Sequence, residues 1–322
     1  MQFVADENWA RKELHGLHWG ISVIDDDCYA IKLKHMGGSC ERLQDQNLDL
    51  VGGRPIVVFG NVWCHKDPEE AQRFHHPSEY ITRNIRWFYW DNPVPHLLYK
   101  GAWNPHGYKN FVRLVEGDTM RTPSTPRRPG QSIDRINRQL RELTQGQITN
   151  WSDIMGPHRP VMPRSKTVLL CPSGGVVFEK YYNLHKTNWI NQVTQRCRAM
   201  GLEVELRDKP GRNQREIGDN RLYQRLMQKN YMCTISNHSM VPIESLWAGV
   251  PAVAVGAHAA QGGGFNQQGQ MTAPMSTTLE EFYQDMGAVR CPDHTQVAHW
   301  VQQLLLDCYH KRDIYSGEWY HT

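Results

Sequence analysis

The second half of the chain alternates short apolar runs with apolar positions at helical spacing. A continuous apolar run at 167–171 is typical of a buried parallel strand. Between 189 and 200 apolar residues recur at the spacing of one helix face, and Gly201 follows where a helix C-cap glycine belongs. Residues 202–206 then alternate as a strand does. A strand, a helix and a strand in this order predict a βαβ unit with a right-handed crossover.

The same alternation continues to the C-terminal end. Further elements are predicted in the order helix, strand, short helix, strand, helix and helix. They lie at 222–227, 231–235, 242–247 and 250–255, followed by a helix with the capping-box spacing of Thr278 and Glu281 and a helix that starts at Asp293 and keeps one apolar face to Cys308. Alternating strands and helices of this kind build a doubly wound, Rossmann-like parallel sheet, so the predicted fold class is α/β.

Strands outnumber helices in the predicted first half. Candidate strands lie at 21–24, 29–33, 56–59, 85–90 and 111–115. Two proline-rich segments, 122–130 and 156–164, bracket one predicted helix at 132–143, and we interpret this region as a hinge. The predicted division of the chain is an N-terminal lobe at 1–125, a proline- and arginine-rich connector at 126–164 and a C-terminal lobe at 165–322.

Length and composition agree with two globular lobes. The chain has 322 residues, of which 39% are hydrophobic and 21% charged, as in ordinary proteins of two compact domains. Its net charge of +3 neither requires nor excludes a nucleic-acid partner. The eight cysteines are scattered without a C-x-x-C pair, the chain begins without a basic and apolar leader, and no run of 18 apolar residues occurs. We expect reduced cysteines, no membrane span and a cytoplasmic location.

Polar and glycine-rich stretches follow four of the predicted strands. In an open parallel sheet, ligands bind outside the carboxyl ends of the strands, so these four tips are the candidate site. The tip at 173–175 offers a hydroxyl and backbone N–H groups to an anion, 207–212 brings three cations together, 236–239 precedes a helix, and 256–264 is glycine-rich. Each tip also has a purely structural interpretation, namely a plain turn, a solvated charged turn, a helix N-cap and an inert surface loop.

The stretch at 234–251 carries a family resemblance. It resembles the S-x-x-x-x-E-A-x-x-x-G-x-P signature of GT-B glycosyltransferases related to bacterial capsule-polysaccharide transferases and to their phage-encoded relatives. Residues 207–210 resemble the basic-Pro motif of that family, with Lys209 standing where histidine is usual. The tail at 300–319 is similar to that of phage proteins of this group, whereas the first half matches only loosely, near 87–92.

The resemblance implies a GT-B-like glycosyltransferase with two Rossmann-like lobes facing a cleft. The C-terminal lobe would bind a nucleotide-sugar donor, with a UDP-sugar first among the candidates, and the N-terminal lobe would bind the acceptor. No tightly bound cofactor and no metal are expected, because cations and helix N-termini can neutralise the leaving diphosphate. The expected donor-binding residues are Ser173, Gly174, Gly175, Arg207, Lys209, Asn237, His238, Ser239 and Glu244.

A catalytic base and a DNA-binding segment are predicted outside the C-terminal lobe. Asp91 follows an aromatic strand and is the favoured base, with Asp26 and its acidic neighbours as the alternative. From Arg121 to Arg141 six arginines stand against one acid, Asp134, which suits a phosphate backbone. The candidate DNA contacts in this segment are Arg121, Arg127, Arg128 and Arg135.

The acceptor that the resemblance favours is a 5-hydroxymethylpyrimidine base in phage DNA. T-even phage DNA glucosyltransferases are GT-B enzymes that add sugars to such bases, and a phage-encoded enzyme would work in the host cytoplasm. Two alternatives stay open. One is a glycosyltransferase that acts on a polysaccharide or a small molecule, and the other is a non-catalytic module that binds a sugar or a nucleotide.

Overall fold

Two five-stranded sheets and seven α-helices make up the part of the chain that the computed structural model describes. The described residues are 20–23, 56–59, 82, 84, 87–91, 111–116, 132–155, 165–175, 178, 184–208, 222–237, 239–256, 274–310 and 313. The strands are β1 Gly20–Val23, β2 Ile56–Phe59, β3 Trp87–Asp91, β4 Phe111–Glu116, β5 Thr167–Cys171, β6 Glu203–Leu206, β7 Cys233–Asn237, β8 Ala252–Val255, β9 Thr277–Thr278 and β10 Cys308–His310. The helices are α1 Ile133–Leu143, α2 Ser152–Met155, α3 Lys186–Ala199, α4 Leu222–Gln228, α5 Val241–Trp247, α6 Leu279–Gln284 and α7 His294–Leu306, with a 3₁₀ turn at Met286–Ala288.

The second sheet has the strand order β6-β5-β7-β8-β9, and all its neighbouring strands are parallel. Side chains alternate between its two faces. Val168 and Leu170 pack with α3 and α6 on one face, while Leu169 and Cys171 pack with α4 and α5 on the other. Helices on both faces are what a parallel sheet needs to bury its strands. The predicted parallel α/β sheet of the second half is confirmed.

The helix ends follow from local sequence. The α3 helix is followed by Gly201 at φ +77°, and α5 by Gly249 at φ +72°; both are left-handed backbone conformations that glycine adopts without strain. The Thr278 side chain accepts a hydrogen bond from the backbone N–H of Glu281, whose carboxylate accepts one from the backbone N–H of Thr278. Asp293 begins α7 with the same reciprocal arrangement. The predicted capping box of α6 therefore forms, α7 starts at Asp293 as predicted, and both arrangements fix where the two helices begin.

The first sheet has the order β1-β2-β3-β4-β10 and is mixed. Only β2 and β3 pair in parallel, while β1–β2, β3–β4 and β4–β10 are antiparallel. These described strands therefore differ from the Rossmann-like first lobe that the resemblance implies. A second difference lies at the C-terminal end, where α7 ends at Leu306 and Cys308 begins β10 instead of extending the helix face. The backbone of 308–310 leaves the helix because it pairs with β4.

Helix α1 confirms the one helix predicted in the connector. Ser132 caps it by accepting a hydrogen bond from the backbone N–H of Arg135, and Asp134 lies in its first turn, where a carboxylate favours the helix dipole. One face of the helix buries Ile136 and Leu140. The short helix α2 follows and was not predicted.

One hydrophobic core joins the two sheets. It contains Phe111 of β4, the apolar faces of α1, α5 and α7, and Ala252 of β8. Two further clusters lie on the two faces of the second sheet alone. The candidate site described next lies at the carboxyl ends of β5 and β7, above these two clusters.

Candidate functional site

The strand order of the second sheet creates one position where a ligand crevice is expected. From β5 the chain crosses to β6 on one side, and it then returns to place β7 on the opposite side of β5. The crossovers therefore diverge between the carboxyl ends of β5 and β7. In doubly wound sheets such a topological switch point is the usual ligand site.

A hydrogen bond spans this switch point. The backbone N–H of Ser173, two residues beyond β5, donates to Oδ1 of Asn237 at 2.9 Å. Asn237 is the last residue of β7 and is fully buried. The bond ties the tip of β5 to the end of β7, so the two predicted site segments at 173–175 and 236–239 meet as expected.

Strand β7 begins and ends two residues later than its sequence pattern indicated, at 233–237 instead of 231–235. Ser236 and Asn237, predicted as loop residues, belong to β7, because Ser236 pairs in register with Cys171 of β5 and with Ala254 of β8. Ser236 belongs to the predicted site segment 236–239, but it was not among the individual donor-binding residues expected from the sequence. The signal that could have found it is the alternation of Thr234 and Ser236 with apolar neighbours, which continues the strand to the end of the tip.

Three polar atoms at this switch point are buried without a partner. They are Oγ of Ser173, Oγ of Ser236 and Nδ2 of Asn237, none of which has a hydrogen-bond partner in the described residues. The three residues are at most 7% exposed. A buried polar group without a partner costs about 1–3 kcal/mol. A ligand or an ordered water would supply the missing partner of such atoms, and their place at the switch point favours a ligand.

The glycines after β5 leave this tip open. A Cβ built on Gly174 or Gly175 would meet no atom within 4 Å, and both residues are half-buried. Free space beside these two glycines would let an anion approach their backbone N–H groups closely. Crowding by the described residues therefore does not explain why glycine stands at both positions.

Arg207 and Glu244 both affect the pKa of the same buried thiol, that of Cys171. Burial raises the pKa of the Cys171 thiol to about 12; Arg207, which hydrogen-bonds the thiol, opposes this rise, and the negative charge of Glu244 adds to it. Both charged side chains therefore lie close to the end of β5, and both are half-buried. The backbone N–H of Arg207 donates to the carbonyl of Leu170 at 2.8 Å, which continues the β5–β6 pairing past Leu206. The tip of β6 thus brings a cation to the switch point.

The side chains of Ser239 and Lys186 already have partners within the protein. Oγ of Ser239 accepts a hydrogen bond from the backbone N–H of Val241 at 3.2 Å, so this hydroxyl already serves the start of α5. Lys186, in the first turn of α3, forms an ion pair with Asp208, the residue after Arg207. Sequence reasoning missed Lys186, because a single lysine at a predicted helix start carries no distinguishing pattern.

Asp91 lies on the first sheet, as the last residue of β3, in register with Arg113 of β4.

Arg135 was expected to contact DNA, but the structure places it inside the protein. It is 3% exposed, and its guanidinium group donates to the carbonyls of Leu306 and Cys308 at 3.1 and 2.9 Å. A buried arginine that is bound to the protein's own backbone cannot reach a duplex. The other expected site residues lie outside the described residues: Asp26, Arg121, Arg127, Arg128, Lys209, His238 and the loop 257–264.

Within the described ranges, no group of three histidine, cysteine or acidic side chains is arranged to hold a metal ion. Among the helices that the structure describes, none is long and apolar enough to cross a membrane.

Fold and site together define the second half of this chain as a parallel α/β unit with a polar strand edge at its switch point. No protein-family model matches the chain, and no curated protein or solved structure matches it significantly.

Proposed function

We propose that this chain is a glycosyltransferase whose nucleotide-sugar donor binds at the carboxyl edge of the second sheet. The observation that carries the proposal is the set of three unpartnered polar atoms on Ser173, Ser236 and Asn237 at the switch point. The amide nitrogen can only donate a hydrogen bond and the hydroxyls are able to, so a partner with several acceptor oxygens would satisfy all three atoms. A diphosphate offers several such oxygens within a few ångströms of one another.

The chemistry of sugar transfer fits this edge. The leaving nucleoside diphosphate gains negative charge as the glycosidic bond to it breaks, and hydrogen-bond donors and cations that are already in place stabilise that charge. Arg207 supplies a cation, and Gly174 and Gly175 supply accessible backbone. Glu244, at the same edge, is a candidate acceptor for a sugar or ribose hydroxyl. Lys209 and His238 belong to the same proposal by sequence position.

We place the acceptor side of the proposal on the first sheet, as in the GT-B arrangement that the resemblance implies. A general base must take the proton of the attacking acceptor hydroxyl. Asp91, at the end of β3, is the proposed base, with Asp26 as the alternative. The mixed strand pairing of the first sheet is the main departure from the GT-B pattern.

We further propose a 5-hydroxymethylpyrimidine base of DNA as the acceptor. This proposal depends on the resemblance to phage proteins and on the arginines from Arg121 to Arg128, since Arg135 is buried. Arg138 and Arg141 of α1 are exposed and remain available to a phosphate backbone.

The donor half is tested by calorimetry of the purified chain against UDP-, GDP- and CMP-sugars. We expect one nucleotide class to bind and Ser173→Ala to weaken its binding by roughly tenfold or more, because hydrogen bonds to charged groups contribute most. Ser132→Ala is the matched control. It removes the cap of α1, far along the chain from the switch point, and should lower stability while leaving donor affinity unchanged. Equal donor affinity of wild type and Ser173→Ala would remove the proposed site.

The chemistry is tested with labelled donor and hydroxymethylpyrimidine DNA, with mass spectrometry of the product. Asp91→Asn should abolish transfer and keep donor binding. Slow donor hydrolysis without DNA binding at low salt would favour a polysaccharide or small-molecule acceptor. Donor binding without any turnover in the wild-type chain would instead identify a non-catalytic module.

A further inference from the structure

The C-terminal end of α7 leads directly into the first sheet. Asp307 is the C-cap residue that follows the helix, and its carbonyl accepts a hydrogen bond from the backbone N–H of Leu114 in β4 at 2.9 Å. The next three residues form β10, which pairs with β4 so that Cys308 faces Arg113 and His310 faces Phe111. The last strand of the first sheet is therefore supplied by the segment that follows the second sheet in sequence.

Arg135 of α1 holds this segment from the side. Its guanidinium group donates to the carbonyls of Leu306 and Cys308, the residues on either side of the turn from α7 into β10. The same group lies over the ring of Tyr309, 4.4 Å from the ring centroid. One turn further along α1, the Gln139 side chain donates to the carboxylate of Asp313. We call Arg135, Gln139 and the segment 306–313 the junction.

The junction is buried and is continuous with the core. Arg135, Gln139, Asp307 and Asp313 are at most 5% exposed. Around them, α1 and α7 pack together in the same cluster that includes Phe111 of the first sheet and Ala252 of the second. Close-packed interiors have few discrete arrangements and resist continuous deformation. A sliding motion of one sheet over the other would expose these charged groups or break their hydrogen bonds.

We infer that the two sheets form a single rigid body, locked by the junction, so that α1, which lies within the region interpreted as a hinge, moves together with both sheets. This inference concerns the architecture alone and stands whether or not the chain is a glycosyltransferase. If it is one, the spacing between its donor edge and Asp91 is set in advance, because Asp91, Arg113 and Cys308 lie in one row across β3, β4 and β10.

Hydrogen exchange on the full chain tests the inference. In the wild type, the most protected amides of β4 and of β5 and β7 should exchange through the same global opening. Arg135→Met keeps the length of the side chain and removes its hydrogen bonds to the two carbonyls. It should speed exchange in β4 and β10 by about tenfold or more and leave β5 and β7 with higher protection. Arg138→Met, on the exposed face of the same helix, is the matched control and should change neither.

A distance measurement keeps the test decisive if Arg135→Met fails to fold. Spin labels carried by non-natural amino acids at Thr82 and Gln195, both exposed, report the separation of the two halves in the otherwise unchanged chain. One narrow distance population, the same with and without UDP-glucose or inorganic pyrophosphate, is the expected result. A second population, or wild-type exchange of β4 through an opening that leaves β5 and β7 protected, would overturn the rigid junction.

Discussion

Two buried serines of the second sheet provide a direct test of the site. Ser236 and Ser245 are both at most 1% exposed, yet their hydroxyls have opposite surroundings. Oγ of Ser236 has no partner in the described residues, while Oγ of Ser245 accepts from Thr234 Oγ1 and donates to the carbonyl of Val250, both at 2.9 Å. The two alanine variants remove the same atom from similarly buried positions, so their comparison isolates the hydrogen bonding.

The two substitutions should change stability in opposite directions. Ser236→Ala removes a desolvated hydroxyl without a partner and should stabilise the ligand-free chain by about 1 kcal/mol. Ser245→Ala leaves the hydroxyl of Thr234 and the carbonyl of Val250 without a partner and should destabilise it by about 1–3 kcal/mol. The expected difference between the variants is therefore roughly 2–4 kcal/mol, well above the usual error of such measurements.

Urea denaturation of the ligand-free variants measures these differences, provided that the m-value stays constant. The binding measurement should give the reverse order: Ser236→Ala should weaken donor binding, and Ser245→Ala should preserve it in the folded fraction. If Ser236→Ala is as destabilised as Ser245→Ala, then Ser236 has a structural partner, such as a bound water. The reasoning that links unpartnered atoms to a ligand would then be refuted.

Three further predictions concern other positions. Gly201→Ala should cost about 1 kcal/mol because alanine is strained at φ +77°, whereas Gly174→Ala should leave stability nearly unchanged and weaken donor binding; thermal unfolding and calorimetry check the pair. Glu281 has its pKa lowered to about 2, first by hydrogen bonding to an arginine, so its stabilising contribution should be present above about pH 4.5 and lost as the pH falls towards 2. A Glu281→Gln variant should flatten that part of the curve of melting temperature against pH, by a small amount because the side chain is 40% exposed. Mass mapping after treatment with a thiol reagent at pH 8 should find Cys291, which is exposed, modified long before Cys171.

Local pattern was sufficient to predict most of the second sheet. Short-range chemistry determines the structure of the apolar run at 167–171 and of the glycines that follow α3 and α5. Strand β5 accordingly has the bounds that were predicted for it. The residues at which strands end were harder to predict from local sequence. The end of β7 includes Ser236 and Asn237 because two neighbouring strands extend the ladder there, and such pairing depends on residues distant in sequence.

The first sheet and the junction could not be predicted from local pattern. Arg135 lies in an arginine-rich segment that looks solvated, and its burial depends on carbonyls more than 170 positions away in the chain. In the same way, Cys308 fits the apolar face of α7, but its backbone belongs to β10. In both cases the partner that determines the residue's environment is distant in sequence. Charge counts and helical periodicity therefore predict the helices correctly but predict the surroundings of Arg135 and Cys308 wrongly.

The candidate site is also where local consistency fails in an informative way. Polar residues at the centre of a parallel sheet are costly, and Thr234 meets that cost by bonding to Ser245. Two residues further along the same face of β7, Ser236 has no such partner among the described residues, although an apolar residue there would pack against Cys171 and Ala254 at no polar cost. The strand therefore loses stability at Ser236, near its end, and keeps it at Thr234, the preceding residue on the same face. Since proteins typically give up local stability where a ligand is to be bound, this contrast supports the proposed site more strongly than any of its residues does alone.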